Sequence, residues 1–457
     1  MYSILFRSSI FKALALCLLL LFGVRGEGYG QRVLHFADGV PNINLSPATA
    51  LGLPVGTATV TDLANSTDPN PQNFATIEVT ALAGISSAQI QLNFLSPVPI
   101  GNTVFVRLSG TANGLLSGLG GDLRISAING GTALDTSDYK VIKDLVSIEG
   151  SYYWAIKSTK TFTSVRIRVQ TGVLLDSRRI NVHHAFYITG EDICHSPLYS
   201  TIGTNGLTLD LLGNGAKVIN PSRAIDSDPT NYSELSLGSG ITIGLGNSIY
   251  QDVYFPESSP SNYGFRIFIR SPQSVVNLSL FSGIRVSAFN ESGAMVYQQT
   301  LDQVLGIDLL GLAGGQLIPV DIYPSGGQSF NRIRVELGKF LDVNVLGAGL
   351  YFYGVRYIPP VPTISTINNI TCEGNNVTLS VASPNPSMNY HWYNSTNVFL
   401  SNGPSFLIQA SDLPVTGSPF IFYVSAEKPN CDEEESSKVP VTVIVYPKPS
   451  PPHITAN

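Results

Sequence analysis

Apolar residues recur at every second position along most of this chain, in short runs separated by Gly, Pro, Asn and Ser. In Thr103-Val104-Phe105-Val106-Arg107-Leu108, residues Val104, Val106 and Leu108 share one face. In Val165-Arg166-Ile167-Arg168-Val169 the aliphatic residues face inward and both arginines outward, and Arg332-Ile333-Arg334-Val335 copies that pattern. Phe265–Arg270 and Tyr351–Val355 read as further strands. No long segment carries a helical period, and helical turns are expected only near Ser222–Ala224. The stretch from Leu301 to Leu317 is interrupted by Asp302, Asp308 and several glycines, and is read as strands and turns. One-faced strands at this density bury their apolar sides by packing sheet against sheet. The fold class is all-β, built of sandwiches.

The strands belong to a duplication. Arg166-Ile167-Arg168-Val169-Gln170-Thr171-Gly172-Val173-Leu174-Leu175-Asp176 recurs as Arg332-Ile333-Arg334-Val335-Glu336-Leu337-Gly338-Lys339-Phe340-Leu341-Asp342, with seven of eleven positions identical. Leu123–Asn129 recurs as Ile284–Asn290, and Ala64, Asp68 and Pro69 as Ala224, Asp228 and Pro229. A period of this size is far above the roughly 20–50 residues of solenoid repeats, so each copy is a whole domain. The copies are placed at 31–193 and 194–358, as two tandem jelly-roll-like sandwiches. Pro359-Pro360-Val361-Pro362 then acts as a stiff spacer.

A third, different segment covers 359–447. It runs Cys372, Val377–Val381, Tyr390-His391-Trp392-Tyr393, Phe420–Val424, Cys431, Val441–Val445. This Cys…Trp…Cys order is that of an immunoglobulin-like sandwich with Trp392 in its core. Cys372 and Cys431 lie in one segment and are the natural disulfide pair. Cys194 is then left over at the junction of the repeats, as a buried thiol or an intermolecular partner. Pro429 stands two residues before Cys431, where a tyrosine corner would be, so Cys431 is expected in a loop after its strand. Residues 448–457 repeat the Pro-rich spacing and read as a linker or the start of a further module.

Composition adds the setting. The chain has 13% charged residues and a net charge of −6, with no basic block, which argues against a nucleic-acid partner. Arg7 and Lys12 precede an apolar run from Ala13 to Val24, then small residues, so 1–30 reads as an export signal. That run is too short for a confident span, and no second stretch of spanning length follows, so no integral membrane segment is expected after cleavage. Export also permits disulfides.

The third segment resembles the immunoglobulin/PKD-like modules of large surface proteins of gliding, Bacteroidetes-type bacteria. Three motifs carry the resemblance: Cys372-Glu373-Gly374-Asn375-Asn376-Val377-Thr378-Leu379, His391-Trp392-Tyr393 and Tyr423-Val424-Ser425-Ala426. Such modules act as spacers or adhesive units. The large repeats resemble galactose-binding-type jelly rolls, on Asn220-Pro221-Ser222-Arg223-Ala224-Ile225-Asp226-Ser227-Asp228-Pro229-Thr230-Asn231-Tyr232-Ser233. The resemblance implies a structural Ca²⁺ at Asp226 and Asp228, with neighbouring loops binding sugars. Against it, the first copy has Ser66 where the second has Asp226, and an Asp-Pro turn accepting local N–H groups explains the same residues.

Other candidate chemistry is thin. Asp176 and Asp342 match between copies and serve either as sugar contacts or as solvated strand ends. His183 and His184 are adjacent, point to opposite faces of a strand, and cannot easily share a metal. Nucleophile-elbow, zinc-protease, P-loop and dinucleotide motifs are missing, so no enzyme and no cofactor is expected. The sequence therefore reads as a secreted cell-surface binding or adhesion protein. Its sandwich loops would contact a glycan or protein ligand, at positions the sequence leaves unknown. The alternatives are a purely structural surface component, or a targeting region of a longer exported enzyme.

Overall fold

The computed structural model describes residues 32–448, apart from 68–69, 71–72, 110–122, 149–150, 191–193, 211–213, 227, 239–243, 273–280, 306–315, 339–348, 366–368 and 432–434. The export signal, Asp68, Asp342 and the 449–457 tail lie outside the described residues.

The duplication is visible strand by strand. One sheet of the first repeat runs Thr132–Ala133, Leu123–Asn129, Phe162–Gln170, Ser87–Val98, Gly39–Ser46. Its counterpart in the second runs Met295–Thr300, Ile284–Phe289, Arg332–Gly338, Ser248–Tyr254, Tyr199–Asn205. The facing sheets also correspond. Gly56–Thr61, Ala75–Ala83, Leu174–Thr189, Thr103–Ser109 and Ser151–Ser158 match Lys217–Ile219, Ser233–Ser236, Gly349–Ile358, Gly264–Arg270 and Ile318–Ile322. Each pair of sheets encloses its own core. Ile90, Leu92, Val104 and Ile167 fill the first, and Phe265, Ile267, Val335 and Phe352 the second.

The two repeats share a sheet. Strand Tyr139–Ile148 of the first pairs with Tyr199–Asn205 of the second, Ser147 opposite Ser200. The pairing removes two open edges that would otherwise invite aggregation. A twelve-stranded sheet results among the described residues. On its far face Phe105, Tyr153, Phe186 and Tyr199 form a separate aromatic cluster. Tyr199 stacks on Tyr254 at 4.4 Å, and burial pushes its hydroxyl pKa well up. Lys157 also reaches Glu291 across the boundary at 3.2 Å.

The repeated Arg-Ile-Arg-Val motif is used differently in the two copies. In the first, Arg166 pairs in register with Gln91 and Ser126 and donates to Gln91 Oε1 at 2.9 Å. In the second, the residue opposite Asp252 and Ser287 is Arg334, two positions further along than the sequence match suggests. A slide of two keeps every side chain on its face. Arg334 clamps Asp252 through Nε–Oδ1 at 2.6 Å and a terminal nitrogen to Oδ2 at 2.9 Å, while Arg332 reaches the same carboxylate at 3.5 Å. Asp252 is 0% exposed and each arginine 18%. Arg334 lies 3.6 Å over the Tyr250 ring. Burial opposes its charge, but the hydrogen bond and attraction of Asp252 outweigh that and raise its pKa. The pair expected to be solvated on an outward face is thus a buried ion cluster in the second copy.

Leu301–Leu305 is one turn of α-helix, where strands and turns were expected. Leu301, Val304 and Leu305, at helical spacing, turn toward the second core. The 3-10 turns Leu63–Ser66 and Pro221–Ala224 correspond, each preceded by a residue of positive φ, Asp62 and Asn220.

The third module pairs Ile370–Cys372, Val439–Tyr446, Phe420–Glu427, Asn389–Asn394 and Phe399–Asn402 in one sheet, with Val377–Ser380 and Ser405–Ile408 opposite. Trp392 is 0% exposed and donates its indole N–H to Gly403 O at 2.9 Å. The expected Cys372–Cys431 disulfide is corrected: Cys431 is bonded to Cys194, with Cα atoms 5.4 Å apart, and Cys372 is a free, exposed thiol. The reason is docking. Cys372 ends an edge strand, whereas Cys431 follows its strand in a loop turned toward the second repeat. There Ser437 donates its N–H to Tyr323 Oη at 3.0 Å and its hydroxyl to Asp321, which Arg266 also holds bidentately. Met388 packs against both cores. The module is therefore fastened to its neighbour rather than hung from a free linker.

Candidate ligand platform

The outward face of the second repeat's Gly349–Ile358 sheet carries an unusual set of side chains. Tyr232 stacks on Tyr351 with centroids 4.1 Å apart, and Tyr353 lies 5.2 Å from Tyr232. Arg270 stands over all three rings, 5.2 Å from Tyr351 and 5.5 Å from each of the others. Tyr232, Tyr351 and Arg270 are half-buried, and Tyr353 forms a buried floor.

Backbone geometry builds this group. In a strand, Leu350 and Phe352 face the core, so Tyr351 faces out. Arg270 pairs directly with Tyr351, and Glu234 with Tyr351 from the other side. Tyr353 is the extra residue of a bulge: Phe352 pairs with Ile269, Gly354 with Phe268, and Tyr353 with neither. A bulge re-aims one side chain, here toward Tyr232. Burial pushes the Tyr353 hydroxyl pKa up, against the pull of Arg270. Burial, Tyr232 and Glu234 do the same to Tyr351, with Arg270 again opposing.

The Asp226–Asp228 loop supports the platform from behind. Asp226 Oδ1 accepts from Asp228 N at 3.1 Å, and Asp228 Oδ1 from Thr230 N and Oγ1 at 2.9 and 2.6 Å. Asn231 Nδ2 donates to Asp226 Oδ2 at 3.0 Å and Asp228 Oδ2 at 3.2 Å. All four carboxylate oxygens therefore receive a hydrogen bond, and the bonds of Thr230 hold the Asp228 pKa below its ordinary value. The two carboxylates are thus satisfied by donors from their own turn, the arrangement of an Asp-Pro turn. The loop fixes Asn231 and so the backbone of Tyr232, and Arg356 closes it on Asp226 O at 3.3 Å.

The first repeat has the same site with other residues. Its bulge falls on His183, since Val182 pairs with Leu108 and His184 with Arg107. His183 thus corresponds to Tyr353, Asn181 to Tyr351, Ser109 to Arg270 and Phe74 to Tyr232. His183 Nε2 lies 2.8 Å from Ser109 Oγ and its ring 5.3 Å from Phe74. The neighbouring His184 packs among Phe36, Tyr153 and Phe186 on the same outward face, because the bulge cancels the alternation of the strand; the expectation that the two histidines point to opposite faces is corrected. Asp176 is a turn lock. Gly172 N, Ser177 N and Arg178 Nε all donate to it, and they hold its pKa down although burial pulls the other way.

Sequence reasoning missed the platform because its members come from three distant segments of the chain. A signal was present in Tyr351-Phe352-Tyr353: a strand whose outward positions are aromatic rather than charged.

Residues 359–447 match the family described as Ig-like domain, CHU_C associated. No curated protein matches the chain. Among solved structures, a β-1,2-glucanase from Parabacteroides distasonis is similar at 13% identity and a TM-score of 0.26, over 56% of this chain and 38% of that one. The lectin domain of lectinolysin, solved with Lewis B antigen, is similar at 13% identity and a TM-score of 0.23, over 37% and 96%. Two CBM32 domains of ZmpB from Clostridium perfringens give 12% identity and a TM-score of 0.22, over 71% and 93%.

Proposed function

We propose that this chain is a secreted, non-catalytic binding protein of the cell surface, and that its second repeat binds glycan on the Tyr232–Tyr351–Tyr353–Arg270 platform. The observation that carries the reading is the pair of half-buried tyrosines, Tyr232 and Tyr351, set over the buried Tyr353 on the outward face of a sheet, where charged residues ordinarily stand. Tyrosine offers an apolar ring face to the C–H side of a pyranose and a hydroxyl to its oxygens, at low entropic cost. The rings are already held by stacking and by the Asp226–Asp228 turn, so little ordering is left to oppose binding. The disulfide-fastened third module would hold the repeats at a set orientation to the surface. No helix among the described residues is long and apolar enough to cross a membrane.

A glycan array probed with the full chain and with Y351A tests this. Binding by the parent and a loss of at least about tenfold in Y351A, with an unchanged thermal transition, is expected. Folded parent protein that binds no glycan, or Y351A that binds as well as the parent, overturns the assignment.

A further inference from the structure

We infer that the platform selects acidic sugars, those bearing a carboxylate or sulfate, and that Arg270 is the residue that selects them. The inference rests on the glycan reading above. Arg270 has no hydrogen-bond or ion-pair partner among the described residues; its contacts are the three tyrosine rings. Five other half-buried strand arginines each have a polar partner. Arg266 is held by Asp321, Arg285 by Glu336, Arg332 and Arg334 by Asp252, and Arg166 by Gln91. Glu234 is the nearest acid by register. It lies on the other side of Tyr351, one strand further away, with Tyr351 between it and Arg270.

A guanidinium packed by ring faces keeps its in-plane N–H donors directed away from those faces. Aromatic packing also fixes its plane and removes water from one side, which strengthens a bidentate bond to a planar anion. The chain as a whole repels polyanions, with a net charge of −6. A preference for acidic sugars would therefore have to be local. The duplication supplies a comparison inside the same molecule: the first repeat has Ser109 at the place of Arg270, hydrogen-bonding distance from His183. At this position the cation is particular to the second copy.

The test uses the full exported chain, with four probes in titration calorimetry: oligogalacturonate, neutral galacto-oligosaccharide of equal length, and dextran oligomers with and without sulfate. The parent, R270S, R270K and Y351A are compared after their thermal transitions are matched. R270S writes the first repeat's residue into the second. The expected result is that the parent favours one acidic probe over its neutral partner by about tenfold or more, with the preference shrinking as salt is raised. R270S brings the acidic and neutral affinities to within about twofold of each other, whereas Y351A weakens acidic and neutral probes alike. R270K keeps part of the preference, as a point charge without the planar fork. Preference for the uronate identifies a carboxylate ligand, and for sulfated dextran a sulfate ligand. Equal binding of acidic and neutral probes by the parent, or an acidic preference unchanged in R270S, overturns the role of Arg270 and leaves glycan binding standing. Failure of all four probes with the folded parent counts against the glycan reading itself.

Discussion

Replacing Asp252 by Asn strips the charge from a fully buried carboxylate of the second repeat and leaves two arginines facing an amide. The side chain keeps its size, so packing is little changed. What is lost is the bidentate clamp of Arg334 at 2.6 and 2.9 Å and the longer contact of Arg332. Removing one partner of a buried ion pair costs about 3–5 kcal/mol, because the remaining charge stays desolvated. Each arginine is 18% exposed, so water relieves part of that cost. The lower end, about 3 kcal/mol, is expected. For a domain of this size that is a fall of roughly 6–12 °C in the transition of residues 194–358. Calorimetry with denaturant titration measures both quantities. A double-mutant cycle of D252N with R334Q should return a coupling of at least about 1.5 kcal/mol. A D252N cost below about 1 kcal/mol, or a coupling near zero, would show that the cluster is merely tolerated and that shape alone holds this sheet. The triple replacement D252L/R332M/R334M should recover much of the loss, since well-packed apolar groups carry no desolvation penalty.

Three further outcomes are expected. With the export signal removed, native protein reacts with one equivalent of maleimide, at Cys372; C372S leaves the melting temperature within about 1 °C, whereas C194S lowers stability by about 2–5 kcal/mol, and the reverse pattern would refute the pairing. Millimolar Ca²⁺ or a chelator shifts the melting temperature by less than about 1 °C, because donors from their own turn satisfy Asp226 and Asp228; a clear rise with Ca²⁺, abolished in D226N, would show a cation site. On acidification, Asp176 and Asp228 have folded pKa values below their ordinary ones, so their stabilisation is complete above that range and is lost as pH falls through the folded values. Stability measured by denaturant titration should thus show no loss attributable to these turns from pH 7 to 5, and a loss below about pH 4 that D228N reduces.

What could be read from the sequence was whatever depends on near neighbours. Val165, Ile167 and Val169 announce an inward face through simple alternation, and the Thr230–Asn231 donors that complete the Asp228 turn lie within three residues of it. The pairing of Cys194 with Cys431 was not legible, because proximity in sequence favours Cys372, and only the docking of Ser437 and Met388 on the second repeat reverses that preference. The correspondence of His183 with Tyr353 was hidden for a related reason. Extending the match of Arg166 with Arg332 along the chain would put Gly349 and Leu350 at the histidines, whereas strand pairing and the shared bulge set the true match. Arg332 and Arg334 were expected outward because their own strand puts them there; that this side carries the buried Asp252 and the rings of Tyr250 and Phe289 is a tertiary fact.

The Cys194–Cys431 bond also changes how the molecule meets a mechanical load. Tension between the first repeat and the strand Val439–Tyr446 runs through one covalent bond and bypasses everything between the two cysteines. At about 3.5 Å per residue, the separation of 237 residues keeps roughly 800 Å of chain out of the path of the force. The second repeat can then hold a ligand while its neighbours are pulled, and only reduction of the bond lets that length pay out.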